Sequence, residues 1–196
     1  MAFPNFANKM SGQEDKTDLI EDYSNFPYLI GEMIGKGGFG SVFAGVHAQT
    51  KIPVAIKFVE RRKVKTWDVL NGHQVPLELK LLHQVQRVDG VIRFLDFYIR
   101  RDHFVMIMER PFFYKDLFQL ISEKEALDED IAHCYFKQIV ETVLECHKHG
   151  VIHRDIKDEN IIVDLLTNKI RLIDFGSGDY MQEDFYTKFD GKYLFI

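Results

Sequence analysis

His153-Arg154-Asp155-Ile156-Lys157-Asp158-Glu159-Asn160 is the stretch on which the reading of this 196-residue chain turns. It follows directly on a predicted helix over 129–148. There Ile131, Tyr135, Ile139 and Val143 recur every fourth residue beside Ala132, Phe136, Val140 and Leu144, which makes one broad apolar face. Asp128 suits the N-cap, and Lys148, His149 and Gly150 suit the last turn and the stop. Eight residues that hold His, Arg, Lys, three acids and Asn are unusual for a plain connection. Asp155 and Asn160, five apart in a loop, can set a carboxylate at a substrate hydroxyl and an amide on a metal ion.

Further along, Ile161-Ile162-Val163 and Ile170-Arg171-Leu172-Ile173 read as short strands around a Leu166-Thr167-Asn168 turn. Asp174-Phe175-Gly176 then offers a carboxylate to a hard cation, which prefers oxygen ligands. Upstream of the long helix, a short helix is expected near 116–123.

The first half reads differently. Tyr28 to Ile34 is a predicted strand that enters the cluster Gly35-Lys36-Gly37-Gly38-Phe39-Gly40, and Ser41 to Val46 is a second strand. A third, Val54-Ala55-Ile56-Lys57-Phe58-Val59, follows a turn at Gln49-Thr50-Lys51. Gly35-x-Gly37-x-x-Gly40 alone also fits a dinucleotide-binding turn, but that turn opens a helix, whereas a strand follows here. Glycines without Cβ let backbone N–H groups approach phosphate oxygens as a flap. Residues 60–73 are basic, with Asn71-Gly72 as a loop signal. Pro76 suits the first turn of a helix near 77–86, with Leu77, Leu81, Leu82 and Val85 on one stripe. Glu78 on that helix could hold the ammonium of Lys57. Strands near 91–99 and 103–109 complete a sheet-rich half, and after Pro111 the chain becomes helix-rich.

Composition sets the outer limits. The formal net charge of −5 gives no support for nucleic-acid binding, and 46% hydrophobic residues with 28% charged residues exclude a wholly disordered chain. No apolar run is long enough for a membrane helix, and the start lacks the pattern of a secretory signal. Residues 1–24 read as a flexible tail. Cys134 and Cys146 suit a reducing compartment and are expected as half-buried thiols on one helix.

Together these motifs resemble the protein-kinase signature set, from about Tyr28 to Gly191. Several stretches are similar to the PIM family of serine/threonine kinases. They are Trp67-Asp68-x-Leu70-Asn71-Gly72-x-x-Val75-Pro76-x-Glu78, Gly90-Val91-Ile92-Arg93-x-Leu95-Asp96, Glu109-Arg110-Pro111 with Asp116-Leu117-Phe118, the His153–Asn160 stretch itself, and Asp174-Phe175-Gly176-Ser177-Gly178. The resemblance implies an α+β, bilobal protein-kinase-like fold. An antiparallel sheet with one main helix would form an N-lobe over about 28–108, a hinge would span 109–111, and a mainly helical, incomplete C-lobe would span 112–196.

The resemblance also implies the cofactors ATP and Mg2+, and a role for each residue. Ile34, Gly35, Gly37, Gly38, Phe39, Gly40 and Val42 would cover the nucleotide, with Ala55, Met108, Glu109 and Asp116 around it. Lys57, paired with Glu78, would hold phosphates. Asp155 would orient and deprotonate the substrate hydroxyl, Lys157 would stabilise the moving phosphoryl group, and Asn160 and Asp174 would hold magnesium. Pro111 lacks an N–H, so one hinge hydrogen bond to adenine is expected. Asp116, Asp158 and Glu159 suit protein substrates with basic residues before the phosphoacceptor, although Gln119 stands where the family usually carries an acid. A monomer in the cytoplasm or nucleus is expected, without nucleic-acid or membrane partners.

After Gly191 the family pattern is replaced by Lys192-Tyr193-Leu194-Phe195-Ile196. Helices that normally follow are therefore expected to be missing, leaving Ile131, Tyr135, Ile139 and Val143 exposed. The alternative function is a catalytically impaired, nucleotide-binding fragment. Tyr186 and Thr187 are candidate phosphorylation positions, with ordinary segment residues the favoured reading.

Overall fold

A computed structural model of the protein describes residues 26–38 and 40–182. The expected tail, Phe39, Tyr186, Thr187 and the Lys192–Ile196 segment lie outside the described residues. Among the described residues twelve strands and three α-helices follow in order: β1 (Tyr28–Gly37), β2 (Gly40–His47), β3 (Pro53–Glu60), β4 (Trp67–Leu70), β5 (His73–Pro76), α1 (Leu77–Val85), β6 (Phe94–Ile99), β7 (His103–Glu109), β8 (Tyr114–Asp116), α2 (Leu117–Lys124), α3 (Glu129–Lys148), β9 (Val151–Ile152), β10 (Ile161–Asp164), β11 (Lys169–Leu172) and β12 (Asp179–Tyr180).

The main sheet is antiparallel with strand order β1-β2-β3-β7-β6. The two-residue period of a strand separates its faces. Val54 and Ile56 of β3, with Val105 and Ile107 of β7, form a small outer cluster under Phe26, Tyr28, Ile30, Phe58 and Tyr98. Ala55 and Lys57 lie on the other face, opposite Met108 and Met106 across the ladder. On that inner side Phe104, Met106 and Met108 join the larger core with α1. The stripe expected on α1 is the buried one: Leu77, Leu81, Leu82 and Val85 are all in the core.

The larger core does not stop at the sheet. It runs on through Leu117 and Leu120 of α2, Tyr135 and Cys146 of α3, and Ile161, Val163, Ile170 and Leu172 of β10 and β11. Gly90 makes this junction close: with φ at 91°, a Cβ there would sit 1.9 Å from Thr142 Oγ1 of α3. Each fully buried aliphatic side chain contributes roughly 1.5–3 kcal/mol to such a core.

This is the bilobal α+β class expected from the sequence, with three local differences. Residues 66–76 contain a β-hairpin, not a plain loop, because Asn71 (φ 51°) and Gly72 (φ 79°) form the left-handed two-residue turn that joins β4 to β5. On α3, Tyr135 is buried, and Ile139 and Val143 pack partly against the core. The exposed stripe is instead Phe136, Val140 and Leu144, one residue round the helix, while Ile131 is exposed at its start. The two cysteines are unlike each other, Cys134 being exposed and Cys146 buried. No helix among the described residues is long and apolar enough to cross a membrane.

Candidate active site

A cavity of about 800 Å³ lies between the sheet and the helical lobe, lined on its roof by Ile34, Val42 and Ala55, at its back by Met108 and on its floor by Ile162 and Ile173. Ile162 and Ile173 were not among the residues singled out from sequence. Their signal was available, because both are half-buried, Ile162 within β10 and Ile173 directly after β11, beside strand residues that fill the core.

At the inner end, β3 delivers Lys57 and the first turn of α1 delivers Glu78, both buried. The Lys57 ammonium bonds to Glu78 Oε1 and lies 2.8 Å from Asp174 Oδ1. Burial disfavours the charged amine, but Glu78 and then Asp174 more than offset it and raise its pKa. Burial pushes the Glu78 carboxyl up against the pull of Lys57. Burial acts in the same direction on Asp174, yet Lys57 wins there and holds that carboxyl below its ordinary value. Asp174 itself is in the left-handed region, φ 63° and ψ 76°, which turns its carboxylate into the cleft ahead of buried Phe175.

The His153–Asn160 stretch forms the loop below. Asn160 Nδ2 donates to the Asp155 carbonyl at 2.8 Å and to Asp155 Oδ2 at 2.9 Å. The same carboxylate oxygen lies 3.1 Å from Lys157 Nζ. His153 fixes the loop from behind: its Nε2 lies 2.9 Å from the Ile173 carbonyl and its Nδ1 accepts from Asp155 N at 3.3 Å. Those roles define a neutral ring with the proton on Nε2. Burial lowers the His153 pKa accordingly. Arg154, with φ at 62°, donates from Nε to the Ser177 carbonyl at 2.8 Å.

The flap over the cavity separates two uses of glycine. A Cβ at Gly40 would lie 2.0 Å from the Phe58 carbonyl oxygen, so the fold itself requires that glycine. Among the described residues a Cβ at Gly37 or Gly38 would meet nothing within 4 Å, and at Gly35 only Val42. Those three positions therefore leave room for the close approach of a ligand. Beside the hinge, Glu109 Oε1 accepts from Arg93 N and from Arg171 Nε, each at 3.0 Å. Arg110 bonds back to the carbonyls of Val54 at 3.1 Å and Gly45 at 3.3 Å. Asp116 lines the cavity, and its Oδ1 caps α2 by accepting from Gln119 N at 2.7 Å.

The cleft thus brings together the sequence-selected residues Ile34, Gly35, Gly37, Gly38, Gly40, Val42, Ala55, Lys57, Glu78, Met108, Glu109, Asp116, Asp155, Lys157, Asn160 and Asp174. As donors, Asn160 and Asp174 suit magnesium, which takes one or two protein oxygens and fills its sphere with phosphate and water. Asn160 spends its amide N–H groups on Asp155, which leaves its carbonyl oxygen as the donor for a cation.

Residues 28–196 match the protein kinase domain family, and the chain belongs to that family. Its curated relatives include serine/threonine-protein kinases. It is 42% identical over 168 residues to the serine/threonine-protein kinase prk-2 of Caenorhabditis elegans, covering 86% of this chain and 38% of that protein. It is 40% identical over 178 residues to the serine/threonine-protein kinase pim-2 of Danio rerio, covering 86% of this chain and 57% of that one. A PAS domain-containing serine/threonine-protein kinase of Mus musculus is 38% identical over 160 residues, 79% of this chain and 11% of the relative. The chain therefore spans less than two thirds of the length of each of these relatives.

Proposed function

We propose that the chain is an ATP-dependent serine/threonine kinase of the PIM type, acting as a monomer in the cytoplasm or nucleus on proteins with basic residues before the phosphoacceptor. The observation that carries this reading is the meeting of Lys57–Glu78–Asp174 with Asp155–Asn160–Lys157 in one cleft under a glycine flap.

Asp155 orients the incoming hydroxyl and takes its proton, and its own carboxylate is held in place by Asn160 and Lys157. Lys57, fixed by Glu78, holds the nucleotide phosphates, and Lys157 meets the charge on the group in transfer. Asn160 and Asp174 would hold magnesium, which when bound would neutralise charge at the phosphates. Ile34, Val42, Ala55 and Met108 give adenine an apolar slot, and Ile162 and Ile173 support it from below. Asp116 and Glu159 at the cavity wall favour a cationic peptide.

The test is transfer of radiolabelled γ-phosphate to peptides with and without arginines before the serine, beside an Asp174→Ala control and a thermal shift with ATP and magnesium. Transfer above the control, greater for the arginine peptides, is expected. A nucleotide-induced shift without transfer overturns the enzymatic reading in favour of a nucleotide-binding module. Equal transfer to both peptide sets overturns the basic preference.

A further inference from the structure

Two successive residues of β12 reach toward opposite lobes. Asp179 Oδ2 lies 3.3 Å from Arg154 Nη1, one residue before Asp155, and Asp179 pairs through its backbone with Ile152. The next residue, Tyr180, pairs with Val151, and Met181 N donates to the Gly150 carbonyl at 2.9 Å. Strand β12 therefore belongs to the framework that carries the catalytic loop. The Tyr180 hydroxyl leaves that framework and donates to Asp68 Oδ2 on β4.

Asp68 is close to Glu78 in mechanical terms. It faces Val75 across the β4–β5 ladder, and buried Val75 precedes Glu78 by three residues. No loop residue separates β5 from α1. Leu77 N donates to the Thr66 carbonyl at 2.9 Å, and Trp67 packs edge-on against Phe104 with ring centroids 5.8 Å apart. Hairpin and first helical turn therefore form one piece, and the phenol joins that piece to the one holding Asp155.

We propose that Tyr180 is a positioning residue for phosphoryl transfer: its hydroxyl, accepted by Asp68, holds the hairpin and α1 where Glu78 engages Lys57. The proposal rests on the kinase reading above. Hydrogen bonds to a carboxylate are the stronger kind. Asp68 is held below its ordinary pKa chiefly by this bond. Burial and then the Asp68 bond raise Tyr180 to about 12, so the phenol keeps its proton at physiological pH.

The full chain is compared with Tyr180→Phe, Asp68→Asn, Asp68→Ala and Tyr180→Phe/Asp68→Ala. Amide hydrogen exchange over residues 67–85 and steady-state phosphorylation of a serine peptide are measured on each. Tyr180→Phe and Asp68→Ala should each speed exchange in β4, β5 and α1 and lower kcat about three- to tenfold, no more than one part-buried charge-assisted hydrogen bond is worth, with KM for the peptide unchanged. Asp68→Asn keeps an acceptor and should stay within about twofold of the parent. The double variant should be no worse than either single one, because the two residues serve one bond. Unchanged exchange in Tyr180→Phe overturns the proposal, as does faster exchange without loss of kcat, or an Asp68→Asn defect equal to that of Asp68→Ala. If the parent chain transfers no phosphate, the kinase reading fails, and the exchange pattern alone then supports or overturns the clamp.

Discussion

Replacing Lys57 with methionine removes the cation that neutralises Glu78 and keeps the side chain's length. The Glu78 side chain is 7% exposed, so the bare carboxylate has no solvent to turn to. Breaking a buried ion pair by deleting one partner costs about 3–5 kcal/mol. Protonation of Glu78 limits the loss. Taking a carboxyl of ordinary pKa near 4.3 to its acid form at pH 7 costs about 1.36 kcal/mol per unit over about 2.7 units, or about 3.7 kcal/mol.

The expected destabilisation is therefore about 3–4 kcal/mol at pH 7, or about 7–15 °C in Tm for a chain of this size. The sign of its pH dependence follows from linkage. In the variant the folded-state pKa of Glu78 lies further above the unfolded value, so the folded form binds a proton that the unfolded chain lacks. Its stability relative to the parent rises as pH falls toward about 4.3, and the deficit at pH 5 shrinks to about 1 kcal/mol. A second change, Glu78→Leu, should restore most of the stability, since an apolar pair of similar volume can replace a buried ion pair at little cost. Neither variant should transfer phosphate. Urea unfolding of parent, single and double variants at pH 5, 6 and 7 measures all of this. A deficit under about 1 kcal/mol at pH 7, a deficit equal at pH 5 and pH 7, or a double variant no better than the single one would refute the reasoning.

The glycine flap offers a clean contrast. Gly40→Ala forces a Cβ onto the Phe58 carbonyl and should lower stability by about 1–3 kcal/mol, whereas Gly37→Ala should change it by about 0.5 kcal/mol or less while weakening nucleotide binding. Denaturation midpoints beside ATP titrations distinguish the two. His153 has a depressed pKa, so its contribution to stability is complete above the ordinary value near 6.5 and is lost as pH falls through the lower folded value. Tm measured from pH 7 to pH 5 should fall faster in the parent than in His153→Leu over that interval, and parallel curves would count against the neutral-ring role. A nucleotide-bound structure should show a single hinge hydrogen bond, accepted by the Glu109 carbonyl, because Pro111 has no N–H to donate.

What could be read from sequence was whatever local chemistry determines. The span of α3 is legible because Asp128 caps it, with Oδ1 accepting from Asp130 N at 3.0 Å, and Gly150 ends it at φ 72°. Lys57, Glu78, Asp155, Asn160 and Asp174 are legible because each chemical step needs a particular side chain at a particular spacing. The hairpin β4–β5 was less so, since its strands have four residues each, too short to set a period. Which row of the α3 face is buried depends on where the sheet framework meets it, through Tyr135 and Asn168 or Thr142 and Asp89. Periodicity gives the width of such a face but not its centre. The Tyr180–Asp68 contact spans 112 positions, and no pattern within either segment announces it.

Because one unbroken set of buried side chains runs from Phe104 and Met106 in the sheet to Val163 and Leu172 beyond the cleft, the two lobes share their main interior, and only the small outer cluster of β3 and β7 belongs to the sheet alone. Melting one half strips contacts from the other, so calorimetry should record a single endotherm whose calorimetric and van't Hoff enthalpies agree. A small molecule gripping the seam would then raise the melting temperature of the entire polypeptide, not of one half of it.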